Sequence, residues 1–257
     1  MVTAENGARE NAMPEGPSLV ILKEQTARFV GQDIVRAGGN VRAVAPGRLV
    51  GQRIVGLHTW GKHFLIETPE LILRIHFLLF GTYRIDERRD KEPRLSIETQ
   101  DGGEMNFYAC AIREIDRATF EAYDFSADVM SDSWDPKQAR KKLRARPGLL
   151  ACDALLDQDI FSGVGNIIKN EVLFRIRVHP LSTMGTLPAP KLRALVDEAR
   201  QYSFDFLGWK KAFVLKQHWL AHARKICPRC DIPFKKANLG NTRRRAFYCE
   251  RCQKLYV

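Results

Sequence analysis

Four cysteines near the C-terminus constrain the fold of this chain more than any other feature. They form two Cys-x-x-Cys pairs, Cys227 with Cys230 and Cys249 with Cys252, separated by 18 residues. Each pair can present two thiolates to one ion, so the four predict a closed tetrahedral site for one structural zinc ion. Two disulfide bonds are the alternative, which the lack of an export signal disfavours. Residues 223–257 are too few to bury much apolar surface, so we expect metal binding to supply the folding energy of this module.

The charge of the chain points to a polyanionic partner. The 257 residues include 41 Lys and Arg against 30 Asp and Glu, which gives a net charge of +11 and a pI near 9.5. Such a balance is typical of proteins that bind nucleic acid or an acidic membrane surface. No apolar run approaches the ~18 residues that a membrane span needs. The first residues, MVTAENGAREN, lack the apolar segment of a signal peptide, so we expect a cytoplasmic protein.

The apolar pattern divides the chain into three parts behind a polar extension. We predict a disordered extension over 1–12 and domains over 13–130, 131–222 and 223–257. Short apolar runs in the first domain indicate a β-sandwich or barrel. The β-rich pattern runs over 33–115, and its predicted strands include Arg53–His58, His63–Glu67, Leu71–His76, Tyr83–Asp86, Leu95–Thr99 and Glu104–Tyr108. The predicted helices are Pro17–Val30, Pro136–Arg144, Leu149–Leu155, Asn166–Phe174, Pro190–Leu207 and Lys211–Ala221.

The segment Met13-Pro14-Glu15-Gly16-Pro17 carries candidate catalytic residues ahead of the first apolar segment. Removal of a Met that precedes Pro would leave Pro14 with a free secondary amine. An α-amine has a pKa near ~8, below the ~10.4 of a lysine, and is therefore a good nucleophile at neutral pH. Such an amine attacks a sugar C1′ to give a Schiff base, and Glu15 is placed to move protons at that carbon. The alternative is a Pro- and Gly-rich entry to the first helix.

A Gly-x-Gly turn joins two predicted helices within residues 155–168. Gly163 and Gly165 allow the backbone to approach another molecule closely. The second helix begins at or near Asn166, so we expect its free amides to face an anion such as a DNA phosphate. An ordinary connection between helices is the alternative.

The segment between the cysteine pairs predicts a basic β-hairpin. A turn at 239–241 is followed by three arginines at 243–245 and then by Phe247 and Tyr248. Guanidinium groups suit phosphate oxygens. A solvated charged turn is the alternative.

Taken in order, these features resemble the formamidopyrimidine-DNA glycosylase and endonuclease VIII family of bifunctional DNA glycosylase/AP lyases. The resemblance covers almost all of the chain from Met13. It rests on the Pro-Glu-Gly-Pro start, on Gly61-Lys62-His63 before a strand, on the segment 155–180, on the arginine-bearing hairpin and on the paired cysteines. It implies an α+β multidomain fold, with an N-terminal β-sandwich and flanking helices, a helix-two-turn-helix domain and a C-terminal zinc-finger β-hairpin.

The resemblance also implies catalytic roles. Pro14 is similar to the family's nucleophile, and Glu15 to the acid/base that protonates the deoxyribose ring. Lys62 resembles the family's hairpin lysine, which belongs to the catalytic site and holds a phosphate next to the damaged nucleotide. A surface polar residue is the alternative for Lys62.

Further DNA contacts are implied by the same resemblance. Asn166, which opens the second helix of the two-turn motif, is expected to contact a phosphate, with Gly163 and Gly165 in the turn before it. Arg244 matches the family's zinc-finger arginine, and Arg245 is the neighbour that competes with it for this role. Ordinary surface polarity is the alternative for Asn166 and Arg244.

The stretch Leu78-Leu79-Phe80 indicates the endonuclease VIII branch. A flipped base leaves a hole in the stack that a wedge must fill, and this branch fills it with three consecutive residues. The other branch uses a Met together with an Arg and a Phe from an Asp-x-Arg-x-Phe-Gly segment, a pattern that residues 110–114 lack. The alternative is a buried strand.

Two other stretches bear on the substrate. The segment 208–212 stands where the other branch has a longer loop that caps oxidised purines, which favours oxidised pyrimidines. Ser18 stands where many relatives have Glu, so the resemblance leaves the details of the lesion pocket unassigned.

The resemblance implies one function, and the residues before Pro14 leave one alternative function open. The resemblance implies base excision repair: excision of oxidised bases, expected to be pyrimidines, from damaged double-stranded DNA through a Schiff base at Pro14, followed by β,δ-elimination. We expect a monomer in the bacterial cytosol or nucleoid. The rival is a non-catalytic lesion- or structure-specific DNA-binding protein in which residues 1–13 block the Pro14 nitrogen. A zinc-ribbon regulatory protein is a more distant alternative.

Overall fold

A computed structural model gives the fold and describes residues 14–257. The extension over 1–12, predicted to be disordered, lies outside the described residues. Two compact units are found: residue 14 with 22–123, and residues 15–21 with 124–257. The first residues of helix α1 (Gly16–Thr26) therefore belong to the second unit, and the remaining residues of the helix belong to the first.

The first unit contains two four-stranded antiparallel sheets. Its strands are β1 (Ile34–Gly38), β2 (Gly56–Trp60), β3 (His63–Glu67), β4 (Ile72–His76), β5 (Thr82–Ile85), β6 (Leu95–Thr99), β7 (Glu104–Tyr108) and β8 (Ala111–Ile115). One sheet has the order β1-β6-β7-β5 and the other β2-β3-β4-β8. The buried rings of Phe64 and Phe107, one from each sheet, have centroids 6.1 Å apart. This packing confirms the predicted β-sandwich.

Two of these strands lie within the predicted β-rich region but were not located individually from the sequence, and both are at sheet edges. Strand β1 has a single buried residue, Ile34, and β8 has only Ile112. Edge strands carry exposed polar and charged side chains that discourage pairing with other chains. Their apolar alternation is therefore too weak to predict a strand. The first unit ends with a short helix, α2 (Arg117–Glu121).

The second unit is helical and ends in a two-stranded hairpin. Its elements are α3 (Pro136–Arg144), α4 (Ala151–Ala154), α5 (Asn166–Arg175), α6 (Ala189–Lys211), β9 (Lys235–Leu239) and β10 (Arg244–Tyr248). Residues 167–174 of α5 are all buried, including three polar ones, Lys169, Asn170 and Glu171. A buried polar group must find hydrogen-bond partners, and those of α5 organise the unit.

The predicted helix Lys211–Ala221 is wrong. Helix α6 continues to Lys211 and ends where Phe213 adopts a left-handed backbone conformation, with φ of 59°. Only a 3₁₀ turn, Leu215–His218, follows. Consequently the stretch 208–211, which was taken as a shortened loop, is the last turn of α6.

Within residues 14–257, no helix combines the length and the apolarity that a bilayer span requires.

Candidate functional site

The carboxylate of Glu15 is enclosed by the start of helix α5. Its Oε1 accepts a hydrogen bond of 2.7 Å from the main-chain nitrogen of Ile167. Its Oε2 accepts from the nitrogens of Gly165 at 3.0 Å and Ile168 at 3.3 Å. The side chain is buried, and hydrogen bonds donated to both of its oxygens favour the ionised carboxylate. The positive end of the α5 dipole further favours the anion.

Both glycines of the turn serve this arrangement. A Cβ on Gly165 would lie 2.4 Å from the carboxyl carbon of Glu15, so any side chain there would displace the acid. Gly163 has a left-handed φ of 97°, and its carbonyl accepts a 2.9 Å hydrogen bond from the nitrogen of Gly16. The amides of Gly165, Ile167 and Ile168 are therefore occupied by Glu15 and do not face a DNA phosphate, whereas a phosphate contact at Asn166 stays a prediction. A DNA contact by Gly163 and Gly165 themselves stays a prediction.

Pro14 directly precedes this acid. It is partly buried, lies just before α1, and belongs to the first unit. Because the Cα atoms of consecutive residues are ~3.8 Å apart, whatever reacts at Pro14 reacts close to Glu15. The sequence prediction of a nucleophile beside an acid/base is compatible with this placement but is not tested by it.

Asn166 is the first residue of α5, as predicted. Its side chain accepts a hydrogen bond from Lys169, a residue that the sequence interpretation missed. The Lys169 ammonium donates to Asn166 Oδ1 at 2.8 Å and to the main-chain oxygen of Arg245 at 3.0 Å. Burial lowers the pKa of Lys169 to about 8. A signal was available, because residues i and i+3 share one face of a helix and a lysine follows Asn166 at that spacing.

The arginine-bearing hairpin forms as expected. Arg244 is the first residue of β10 and pairs with Leu239, and the side chains of Arg244 and Arg245 are both exposed. The positive charge of Arg244 contributes to lowering the pKa of Lys169, after the larger effect of burial. The charge of Arg244 therefore acts on Lys169, while the choice between Arg244 and Arg245 as the DNA contact stays a prediction.

Asp153 of α4 fixes the tip of the hairpin. Its carboxylate accepts from the main-chain nitrogens of Asn241 at 2.9 Å and Thr242 at 3.1 Å, and from Thr242 Oγ1 at 2.8 Å. A Cβ on Gly240 would come within 2.4 Å of this carboxylate. The tip therefore has a defined position against α4.

The cysteine cluster (Cys227, Cys230, Cys249 and Cys252) has the geometry of a metal site. The four Sγ atoms lie within 4.8 Å of one another, and those of Cys227 and Cys252 are 3.8 Å apart. Zn–S bonds of ~2.3 Å in a tetrahedron place sulfurs ~3.8 Å apart, whereas a disulfide requires ~2.05 Å. The cluster can therefore bind a metal ion, and the disulfide alternative does not hold for this pair.

Lys62 lies at one end of the second sheet of the sandwich. Trp60 pairs with His63, so Gly61 and Lys62 form a two-residue turn between β2 and β3, with φ of 55° at Gly61. His63 also pairs with His76 at the end of β4. Lys62 and the residues after His76 thus leave the sheet at the same end.

The three predicted wedge residues follow directly. Leu78, Leu79 and Phe80 form a turn after β4 and are 51%, 47% and 75% exposed, whereas Phe77 before them is 2% exposed. The buried-strand alternative is therefore wrong from Leu78 onward.

Two hydrogen bonds shape this turn. His76 Nδ1 accepts from the nitrogen of Leu78 at 3.2 Å, and the oxygen of Phe77 accepts from the nitrogen of Gly81 at 2.7 Å. Leu78 adopts a left-handed φ of 55°, a conformation that costs a non-glycine residue energy. The turn presents three apolar side chains to solvent at that cost, and their role as a wedge stays a prediction.

Several aromatic rings pack around His63, the residue that follows Lys62. The ring of Trp60 stacks on His63 at 5.8 Å and on Tyr123 at 4.6 Å. Burial lowers the pKa of His63 to about 4, and the neighbouring charges of His76, Arg74 and Lys62 act in the same direction. His63 is therefore neutral at physiological pH.

The comparisons with known proteins agree with this architecture. Residues 13–110 match the formamidopyrimidine-DNA glycosylase N-terminal domain, and residues 126–202 match the formamidopyrimidine-DNA glycosylase H2TH domain. A viral DNA glycosylase structure superposes with a TM-score of 0.82 at 18% identity, covering 93% of this chain and 100% of that one. The Lactococcus lactis formamidopyrimidine-DNA glycosylase, non-covalently bound to DNA containing an AP site, also gives 0.82 at 22% identity, covering 93% and 99%. The fold is thus that of the helix-two-turn-helix DNA glycosylases.

Curated relatives narrow the assignment. Endonuclease 8-like 2 of Bos taurus is 34% identical over 213 residues, which are 77% of this chain and 63% of that protein. Endonuclease 8-like 3 of Xenopus laevis is 29% identical over 218 residues, 80% of this chain and 35% of that protein. The chain thus spans about one to two thirds of the length of these relatives. It belongs to the formamidopyrimidine-DNA glycosylase and endonuclease VIII family, on the endonuclease VIII side.

Proposed function

We propose that this chain is a base excision repair DNA glycosylase with AP lyase activity. It would act as a monomer on oxidised bases in double-stranded DNA, in the bacterial cytosol or nucleoid. The observation that carries the proposal is the carboxylate of Glu15, held by three main-chain amides directly after Pro14. Family membership supports the same conclusion.

The first chemical step would use Pro14 as nucleophile once its nitrogen is the chain terminus. The carboxylate of Glu15 takes a proton from the Pro14 nitrogen, which frees the lone pair for attack. This lone pair forms a bond to the sugar C1′, while the electron pair of the bond between C1′ and the base leaves with the base. The departing base takes up, through water, the remaining proton of the Pro14 nitrogen.

Glu15 then returns its proton to the ring oxygen O4′, and the bond between O4′ and C1′ breaks. The Pro14 nitrogen, whose remaining hydrogen has gone to the base, supplies the electrons of the C=N bond, which gives a positively charged Schiff base. A carboxylate fixed by main-chain amides keeps one position through both proton transfers, as general acid–base catalysis requires.

Strand cleavage would follow by two eliminations. Loss of a proton from C2′ sends electrons toward C3′, and the bond between C3′ and its phosphate oxygen breaks. Loss of a further proton from C4′ expels the 5′ phosphate in the same way. The Schiff base accepts electron density in each step, and water finally releases the sugar fragment from Pro14.

The DNA contacts would come from residues of both units. Lys62, Asn166 and Arg244 would bind phosphates around the lesion. Leu78, Leu79 and Phe80 would fill the space left by the flipped nucleotide, which their exposure supports.

Oxidised pyrimidines are the proposed substrates. The wedge of three consecutive residues and the endonuclease VIII side of the family support this choice. The stretch 208–212 gives no support for this choice, because most of it is the last turn of α6.

The ion of the cysteine cluster is proposed to be zinc. Four sulfur ligands in a closed tetrahedral set are typical of structural zinc. The ion would supply folding energy to the hairpin module, whose small core includes Phe174 and Phe234 with ring centroids 5.5 Å apart. Elemental analysis should find about one zinc per chain.

Borohydride trapping on defined lesions tests the proposed function. Protein that begins at Pro14 should form a covalent adduct with duplexes containing oxidised pyrimidines, more slowly with 8-oxoguanine opposite cytosine, and none with undamaged duplex. Glu15→Gln should bind the lesion duplex and fail to excise the base. Binding without any adduct would instead establish the non-catalytic DNA-binding alternative.

A further inference from the structure

Lys169 is a fully buried lysine whose contacts connect two elements of the second unit. It lies on α5, and its ammonium donates to Asn166 Oδ1 at 2.8 Å and to the main-chain oxygen of Arg245 at 3.0 Å. One bond lies within the first turn of the helix, and the other reaches strand β10. A single side chain thus joins the residue that opens α5 to the strand that begins with Arg244.

The first of these bonds determines the orientation of the Asn166 amide. An ammonium group is a hydrogen-bond donor only, so the atom of Asn166 that faces it must be the oxygen. The NH₂ group of the same amide must therefore point away from Lys169. This NH₂ has no hydrogen-bond partner among residues 14–257. An outward NH₂ can donate to a phosphate oxygen, whereas a flipped amide would present an oxygen that phosphate repels.

The second bond belongs to a docking arrangement along β10. The side-chain amide of Asn170 donates to the oxygen of Arg245 at 3.3 Å and accepts from the nitrogen of Phe247 at 3.1 Å. It thereby pairs with the strand as a peptide group would. Lys169 and Asn170 together hold the start of β10 against α5, which fixes the distance between Asn166 and the backbone of Arg244.

Burying a charged lysine is costly for stability. Burial disfavours the ammonium, and the pKa of Lys169 falls to about 8. A methionine of similar length would remove that cost, and apolar replacements of buried charges often stabilise proteins. A lysine at this position is therefore explained better by the two bonds that it donates than by stability.

We propose that Lys169 is a positioning residue for DNA binding: it orients the Asn166 amide with its NH₂ toward a phosphate and keeps Arg244 in register with it. The inference deepens the proposed function and depends on it. Lys169 itself makes no DNA contact, because it is enclosed within the protein.

A double-mutant cycle tests this inference on the full chain with its zinc bound. The probe is a duplex with a tetrahydrofuran abasic-site analogue, and affinity is measured by fluorescence anisotropy at several salt concentrations. Lys169→Met and Asn166→Ala should each weaken binding about tenfold. The double variant should bind within about twofold of Asn166→Ala alone, because both substitutions remove the same contact. Lys169→Arg, which keeps the donors, should restore most of the affinity.

Salt dependence separates positioning from direct contact. A lysine that neutralises a phosphate contributes about 0.9 to the slope of log affinity against log salt, so Lys169→Met should leave the slope unchanged. Lys191→Met is the matched control, since Lys191 also donates to a main-chain oxygen, that of Ile176 at 2.6 Å, in the same unit. This control should bind as the wild type does. If Lys169→Met does not fold, Lys169→Leu, which also lacks a donor, replaces it in the cycle.

The outcomes are distinct. Additive losses, a reduced salt slope or wild-type affinity of the Lys169→Met protein would each overturn the inference while leaving the proposed function intact. A wild-type chain that fails to bind the duplex would overturn both.

Discussion

The Oε1 atom of Glu15 accepts a 2.7 Å hydrogen bond from the main-chain nitrogen of Ile167, 152 residues further along the chain. This bond and its two neighbours attach the residue after Pro14 to the first turn of α5. Displacing the Glu15 carboxylate should therefore impair the proton transfers without unfolding the protein.

Gly165→Ala provides that displacement. The new Cβ would lie 2.4 to 2.6 Å from three atoms of the Glu15 side chain. We expect base excision to fall by about 10²-fold, since a positioned acid or base contributes 10² to 10⁴, with binding to lesion DNA largely kept. Single-turnover kinetics and equilibrium binding measure the two effects separately.

Gly208→Ala is the control for this substitution. Gly208 is near the end of α6 with open space around its Cα, so an added methyl should raise stability by roughly 0.5–1 kcal/mol and leave excision unchanged. Equal rates for Gly165→Ala and the wild type would show that the position of Glu15 is not important for catalysis.

The local features of this protein were predictable, and the long-range ones were not. Strands β3, β6 and β7 were predicted with their observed bounds, because their compact apolar runs stand out between polar turns. The cysteine spacing likewise anticipated the cluster that the structure assembles. The amides that hold Glu15 could not be predicted, because a main-chain donor has no sequence signature. Lys169 was missed for a related reason: a lysine in an amphipathic pattern suggests exposure.

Alanine substitutions at Phe80 and Phe77 should distinguish a phenylalanine needed for function from one needed for stability. Phe80 is 75% exposed and Phe77 only 2%. Phe80→Ala should change stability by less than ~0.5 kcal/mol and slow excision from duplex DNA about tenfold or more, because the space left by the flipped base would be unfilled. Chemical denaturation and excision rates measure the two properties.

Phe77→Ala should show the opposite pattern. Removing its buried ring should cost about 3–5 kcal/mol of unfolding free energy. If Phe80→Ala excises as fast as the wild type, the exposed turn is not the wedge.

Arg244 and Arg245 can be distinguished by the salt dependence of DNA binding. Both side chains are exposed, but only one is expected to neutralise a phosphate beside Asn166. Arg244→Ala should weaken binding to every duplex sequence and reduce the salt slope by about 0.9, as loss of one phosphate contact requires. Arg245→Ala should reduce it much less. The reverse order would transfer the role to Arg245.

Acid stability should depend on His63. Its pKa is about 4 in the folded protein and about 6.5 when unfolded, so between these values the unfolded chain binds more protons. Stability is therefore present above pH 6.5 and is lost as the pH falls toward 4, by up to ~1.4 kcal/mol per pH unit from this residue. Urea unfolding across pH 4–7 measures the slope.

His63→Phe keeps a ring against Trp60 and cannot take up a proton. This variant should show a shallower loss of stability below pH 6.5 than the wild type. Parallel curves for the two proteins would mean that the pKa of His63 is the same in the folded and unfolded states.

The state of the Pro14 nitrogen should decide whether the protein is an enzyme. When residues 1–13 remain attached, this nitrogen is an amide whose lone pair is delocalised into the carbonyl, and it cannot attack C1′. Protein that begins at Pro14 should therefore give a borohydride-trapped DNA adduct, and the full-length chain should bind lesion DNA but give none. Mass spectrometry must verify each N-terminus. Pro14→Gly in the shortened protein should keep some trapping, because a primary α-amine still attacks. If the verified full-length chain traps as well as the shortened one, the nucleophile is another amine, and Lys62 is the first to replace by alanine.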